Sequence, residues 1–232
     1  MNAWFDKLYE TFIATGHYKT ILGGLKNTVL ITLGALVIGV VIGSLIAVTK
    51  YLSEDTPSLK PLKWLCDVYV TAIRGVPVVV LLLIFYYVVF VSSDDGVMVA
   101  IITFGINSGA YMAELIRSGI NAVDGGQMEA GRSLGMSKLQ AMRYVIFPQA
   151  VKYILPAIGN ELIALLKETS VAGYVAVVDL TRAGDNVRNN TFDAINPLIV
   201  TALTYLVIVV ILTKLLKIFE RRLSRSDKRS KA

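Results

Sequence analysis

Residues 28–49, TVLITLGALVIGVVIGSLIAVT, contain no charged side chain. A run of about 20 apolar residues is the length a helix needs to cross the hydrocarbon core of a bilayer. Residues 198–213, LIVTALTYLVIVVILT, form a second such run. Neither offers the polar stripe that a helix on the surface of a soluble domain requires. The backbone of a lipid-facing segment must satisfy its own hydrogen bonds, so these runs can only be helices. The whole chain agrees with them, with 232 residues, 55% of them hydrophobic, and a mean hydropathy of +0.62. One membrane domain accounts for this length.

The pattern predicts an all-α integral membrane protein with five transmembrane helices. The first covers about 25–49, with Gly39 and Gly43 at a spacing that lets helices approach closely. Residues 50–63 carry Pro57 and Pro61 and are expected to form a loop. The second element is interrupted by Asp67 and Arg74, then bent at Gly75 and Pro77, with Arg74, Gly75 and Pro77 forming the structural bend. Arg74 either snorkels to the interface or lies inside the bundle. The third runs from Val97 to about Ile116, the fourth from Phe147-Pro148 to about Ser170, and the last from Leu198 to Leu216. The expected domains are an amphipathic N-terminal segment, 1–20, a membrane domain, 21–220, with a polar loop at 121–147, and a basic, unstructured tail, 221–232. Residues 1–20 lack the pattern of a cleaved leader. Instead Trp4, Phe5, Leu8, Tyr9, Phe12 and Ile13 recur at helical spacing, as in a helix lying on a membrane surface.

The net charge of +6 needs no nucleic acid to explain it, because the basic residues gather in particular loops. With five spans, fifteen Lys and Arg fall in 50–63, 117–143 and the stretch from Lys214 onwards, against five on the other side. The positive-inside rule then places the N-terminus outside and the C-terminus in the cytoplasm. The one cysteine, Cys66, excludes an internal disulfide. With the single histidine, His17, outside the spans, no Ser-His-Asp or Cys-His set is expected, and no residues have metal-ligand spacing. No G-x-x-x-x-G-K-[ST] phosphate loop occurs, so no ATP chemistry is expected in this chain.

Acids and amides within the spans are expensive, and they mark a pathway or a partner. Asn107, Tyr111 and Glu114 share one face of the third span, and Asn160, Glu161 and Glu168 lie along the fourth. They are the candidates for a substrate pathway, with carboxylates for an ammonium and Asn and Tyr for a carboxylate. Equally, they could join helices together or pair with Lys167 and Arg117. Two acids in a pore point towards a basic substrate, unless Lys167 neutralises one.

Between the third and fourth spans lies GGQMEAGRSLGMSKLQAMRYVIFP. Glu129, Ala130 and Gly131, then Gly135, then Pro148, keep the spacing of the pattern E-A-A-x3-G-x9-I-x-L-P, with Gly131, Val145 and Phe147 as departures. This resembles the cytoplasmic EAA loop in membrane subunits of ATP-binding-cassette importers. Arg74-Gly75-Val76-Pro77, SGAYMAELIRSGI, FPQA and LLKETS resemble the polar amino-acid permeases of that class, which include histidine, arginine, glutamine and glutamate systems. The resemblance runs from about Thr28 to Glu220. It implies a type I ABC importer fold in a bacterial cell membrane, with ATP-driven uptake of a polar amino acid by alternating access. It implies an ABC ATPase dimer that holds ATP and Mg, a second permease subunit, identical or homologous, and an extracytoplasmic amino-acid-binding protein. No cofactor is expected on this chain. Glu129, Ala130, Gly131, Ser133, Leu134 and Gly135 would couple to the ATPase. The alternative from the residues alone is an ion-coupled secondary transporter, although no internal repeat of the kind such folds carry is evident.

Overall fold

The computed structural model describes residues 3–230, with side chains from 5 to 223. The side chain of Trp4 and those beyond Leu223 lie outside the described set. Among the described residues the chain is helical, without strands. The helices are α1 (Ala3–Tyr9), α2 (Tyr18–Leu52), α3 (Lys60–Gly75), α4 (Val78–Ile84) and α5 (Gly96–Asn121). They continue as α6 (Gly125–Ser133), α7 (Lys138–Ala141), α8 (Phe147–Glu168), α9 (Leu180–Thr191) and α10 (Asn196–Ser230). By length and composition, three helices could cross a membrane: 18–52, 96–121 and 196–223. A fourth is reached if 57–75 and 78–89 count as one broken span. The expected fourth span, α8, is a helix of 22 residues. It carries Lys152, Glu161, Lys167 and Glu168 and is not among the helices apolar enough to cross, so a fifth span does not follow from composition.

Two expectations are corrected, those on residues 50–63 and on the tail. Residues 50–63 are mostly helical: α2 runs to Leu52, a short 3-10 turn covers Pro57–Leu59, and α3 begins at Lys60. Pro57 and Pro61 sit at helix starts, where a missing N–H is harmless. α8 begins at Phe147, where Phe147-Pro148 was expected to open the fourth helix, although α7 and a wide π-type turn at Met142–Ile146 lead directly into it. Pro148 is the second residue of α8, and its ring removes a donor and crowds the turn before it. The tail is not unstructured over 221–230 but continues α10, with no proline or glycine after Pro197 to stop it. The bend, in contrast, lies where it was expected. α3 stops at Gly75, and Pro77 is extended (φ −56°, ψ 134°) before α4.

The chain divides into two compact units. The first comprises 1–37, 76–105 and 163–211. Its main core packs Ile31, Leu82, Phe104, Leu165 and Val175. A second cluster sets Phe12, Ile21, Leu180, Ala183 and Val187 together, which seats α9 and the turn following α1. Phe12, in the turn Glu10–Ala14 after α1, is buried, while Phe5 and Tyr9 of α1 and Ile13 are exposed.

The second unit comprises 38–75, 106–162 and 212–232. Here α2 and α5 cross closely. A Cβ on Gly39 would stand 2.6 Å from Ser108 Oγ, and one on Gly109 would stand 2.7 Å from Ile42 Cγ2. The glycine pair in the first span is therefore a packing device, as its spacing indicates. Ile46, Val70, Ala110 and Ala113 form one cluster, and Ala47, Ile116, Ile146, Ala150 and Ile154 another. Tyr69 ties α3 to α5, its hydroxyl donating to the Ile106 carbonyl at 2.5 Å.

Candidate functional site

α6 is a short helix made by its two ends. Asp124 caps its start, the carboxylate accepting the Gly126 N–H at 2.8 Å. At its C-terminal end Gly135 takes φ +87°, a conformation that glycine adopts without penalty. The Met136 N–H then donates to the Gly131 carbonyl at 3.2 Å and the Gly135 N–H to Arg132 at 3.0 Å, the bond pair of a Schellman stop. Glu129, Ala130, Ser133, Leu134 and Gly135 are exposed, with Leu134 81% accessible. Gly131 is not: it is buried, and a Cβ there would meet Ala141 of α7 at 3.1 Å. Its small size serves the loop's own packing against Ala141.

α7 starts on a capping box. The Ser137 hydroxyl accepts the Gln140 N–H at 3.2 Å, while the Gln140 side chain accepts the Ser137 N–H at 2.8 Å. Lys138 follows. It reaches Asp55 at 2.9 Å and Glu54 at 3.2 Å, and its ammonium stands 5.1 Å from the centre of the Tyr51 ring. The hydrogen bond to Asp55, with that to Glu54, pushes the Lys138 pKa above its ordinary value against some desolvation. Sequence reasoning did not single out Lys138. A basic residue beside the Ser137–Gln140 box was the available signal, but its partners lie more than eighty positions away.

The six polar candidates of the third and fourth spans do not form one site. Ser108 donates to Glu161 Oε1 at 3.1 Å, a pairing of α5 with α8 within the second unit. Asn107 and Ser108 are buried. Ser108 was missed, though it adjoins Asn107 on the small-residue stretch of α5. The Asn160 amide turns back on its own helix, donating to the Pro156 carbonyl at 3.1 Å. Glu168, partly buried, belongs to the first unit and caps the 3-10 turn Thr169–Val175 by position, not by its side chain.

Glu114 is ion-paired, which is one of the two readings its sequence context allowed. Arg117 holds one oxygen at 2.7 and 3.1 Å, and Lys50 stands 3.7 Å from the other. Lys50 is also 2.7 Å from Asp67. Beside them the Arg74 guanidinium lies over the Tyr111 ring, 5.2 Å from its centre. Arg74 is therefore more than a bend residue, and it packs with Tyr111 and Glu114 around one cavity. No group of acids, histidines or cysteines among the described residues could hold a metal ion.

In the first unit, α9 is anchored by buried polar contacts. Asp179 is fully buried, and its carboxylate accepts the N–H groups of Thr181 at 2.9 Å and Arg182 at 3.1 Å. The Leu180 N–H donates to the Thr28 hydroxyl at 3.0 Å, and Asn27 donates to the Val178 carbonyl at 3.0 Å. Asp193 prepares the start of α10, accepting from the N–H groups of Ile195 at 3.1 Å and Asn196 at 3.2 Å and from the Asn196 amide at 2.6 Å. Burial opposes the Asp193 charge, but the Asn196 side chain, these N–H groups and Lys7 at 3.4 Å hold its pKa below the ordinary carboxylate value.

Residues 39–225 match the family described as binding-protein-dependent transport system inner membrane component. The arginine transport system permease protein ArtQ of Bacillus subtilis (strain 168) is 36% identical over 210 residues, covering 89% of this chain and 94% of ArtQ. The probable glutamine ABC transporter permease protein GlnM of the same strain is 34% identical over 212 residues, covering 90% of this chain and 96% of GlnM. Among solved structures, an amino acid ABC transporter with histidines superposes with a TM-score of 0.83 at 41% identity, over 91% of this chain and 98% of that one. The inward-facing MetNI methionine ABC transporter shares the fold, with a TM-score of 0.70 at 24% identity over 89% of this chain and 95% of that one. A helical chain without a phosphate loop, matched along its length by permeases, belongs to the family of binding-protein-dependent transport system inner membrane components; it is a type I ABC importer permease subunit and not itself an enzyme.

Proposed function

We propose that this permease imports a polar α-amino acid, driven by ATP that a separate ATPase dimer binds with Mg and hydrolyses. The observation that carries the reading is the likeness to an amino acid ABC transporter at 41% identity over 91% of the chain. Arginine and glutamine systems both stand among the relatives. The acid count that pointed to a basic substrate falls, because Glu114 is already paired with Arg117. The class is therefore a polar amino acid, with the side chain left to measurement.

Residues 121–147 act as the coupling loop, with Glu129, Ala130, Ser133 and Leu134 presented to the ATPase and Gly131 and Gly135 shaping the helix that presents them. The loop faces the cytoplasm and the N-terminus lies outside, which the distribution of basic residues supports. A second permease subunit and an extracytoplasmic binding protein complete the assembly. Movement of α6 and α7 passes along α8 to Glu161, about 20 Å from Pro148 at 1.5 Å per residue. There Glu161 and Ser108 contribute to the pathway. Asn160, whose amide is engaged with its own helix, needs a rotamer change to do so.

The test is uptake into proteoliposomes holding the permease with its ATPase and binding protein, screened over the twenty amino acids. Uptake of a polar amino acid that needs ATP is the expected result. Uptake driven by an ion gradient without the ATPase would overturn the proposal.

A further inference from the structure

In the second unit α2, α3 and α5 line an open polar cleft of about 510 Å³. Lys50, Asp67, Arg74, Tyr111 and Glu114 line it, and no residue of α8 does. Its electrostatics are specific. Two cations and two acids line one space, so the walls are formally neutral. Lys50 is committed to Asp67 at 2.7 Å and touches Glu114 Oε1 only loosely, at 3.7 Å. The other Glu114 oxygen belongs to Arg117. Arg74 makes no hydrogen bond or ion pair with another described residue, and its contact is the Tyr111 ring beneath it. A guanidinium stays charged at any accessible pH and offers five donors in a planar fork. The ring face attracts the guanidinium and holds it beside the cleft. Its donors border a cleft large enough for a small metabolite.

A free anion would meet Arg74 but also face Asp67 and Glu114. A free cation would face Lys50 and Arg74. A molecule carrying both charges a carbon apart avoids each conflict. We infer that this cleft binds the zwitterionic group of an α-amino acid. Arg74 takes the carboxylate through its fork, and Asp67 with Glu114 Oε1 takes the ammonium. The side chain of the ligand points towards Val70 and Thr71. This station is separate from the Ser108–Glu161 pair, and it rests on the proposal that the chain handles amino acids. Lys50 and Arg117 lie near the helix ends assigned to the cytoplasm, so the station holds the amino acid on the release side.

The experiment is equilibrium dialysis of the intact permease–ATPase complex in nanodiscs, without binding protein, against a mixture of the twenty ¹⁴C-labelled L-amino acids. Arg74→Gln should weaken retention at least tenfold and remove one equivalent per permease chain. Arg74→Lys, which keeps charge without the fork, should fall between. Tyr111→Leu, which removes the platform and no charge, should weaken binding several-fold and decides the matter if Arg74→Gln fails to assemble. Phosphoethanolamine, which shares an ammonium and an anion with a lipid headgroup, should not compete at the same concentration. Unchanged retention in Arg74→Gln or Tyr111→Leu overturns the inference. So does displacement by phosphoethanolamine, or retention that appears only in nanodiscs free of phosphatidylethanolamine, since either identifies a headgroup site. Wild-type uptake is measured in parallel. If the wild type imports no amino acid, the proposed function fails; if it imports one and the variants bind as wild type, only the second station fails.

Discussion

α6 and α9 are both short helices between long ones, and they are built in opposite ways. α9 buries Leu180, Ala183, Gly184 and Val187, and its cap, Asp179, is fully buried. Contacts from Thr28 and Asn27, some 150 positions earlier, hold its entrance. α6 buries only Gly131 among its nine residues. Its caps, Asp124 and Gly135, are both local. A helix fixed by distant contacts resists displacement. A helix defined by its own ends keeps its shape while leaving one face for something else to hold. The difference teaches that α9 is part of the permease scaffold, whereas α6 is a preformed surface.

The comparison can be broken most severely at Asp179. Asp179→Ala removes a buried cap and leaves N–H groups without an acceptor, an expected loss of about 2–3 kcal/mol. Thermal unfolding of the purified permease should drop, with hydrogen exchange rising across 180–191. Unchanged exchange there would show that α9 is not held by its cap. Glu129→Lys should do the reverse, leaving the unfolding temperature unmoved and lowering ATP-driven uptake at least about tenfold, as expected for a reversed interfacial charge. A fall in uptake accompanied by misassembly would mean that α6 is scaffold after all. Gly135→Ala forces a side chain into a positive-φ position and should cost about 1 kcal/mol. Its effect should appear as faster exchange in the last turn of α6, without spreading to α9.

Acid sharpens the contrast further. The folded pKa of Asp193 lies below its ordinary value, so its contribution is complete above about pH 4, the usual aspartate range, and is lost as pH falls through the folded value. Protection of the amides at 193–199, taken relative to intrinsic exchange at each pH, should therefore be flat from about pH 5 to 8 and fall only in stronger acid, and Asp193→Asn should abolish that pH-dependent fall. The smallest effect belongs to Lys138→Ala. Exposed ion pairs contribute less than about 1 kcal/mol, so stability should hardly move while coupling of ATP hydrolysis to uptake weakens two- to three-fold. A larger stability change would place α7 with the scaffold.

Much of this was legible in the sequence. The apolar runs gave the long helices, Gly75 and Pro77 gave the break, and the spacing from Glu129 to Pro148 gave the loop. What failed did so for identifiable reasons. Phe147-Pro148 signalled the start of α8, but the helix leading into it through a π-type turn at Met142–Ile146 carries no such signal. Gly131 looked like a contact for a partner, yet the chain folds back and fills its face with Ala141. The pairing of Ser108 with Glu161 spans 53 positions, and no periodicity within either helix reveals it. Arg74 had two readings, at the interface or within the bundle. It is exposed and lies over the Tyr111 ring, and only the fold brings those residues together.

From Lys138 to Glu161 the second unit contains one continuous helical path, with the wide turn at Met142–Ile146 and the internal Pro156 as its irregularities. A straight α-helix would carry a push at one end to the other as translation. A turn wound to a different pitch can shift its register by a single hydrogen bond and so behave as a swivel. Force applied at α7 would then reach Glu161 partly as rotation about the helix axis. Rotation alone would swing the Glu161 carboxylate away from Ser108, opening or closing that contact without any sliding of α8 along its length.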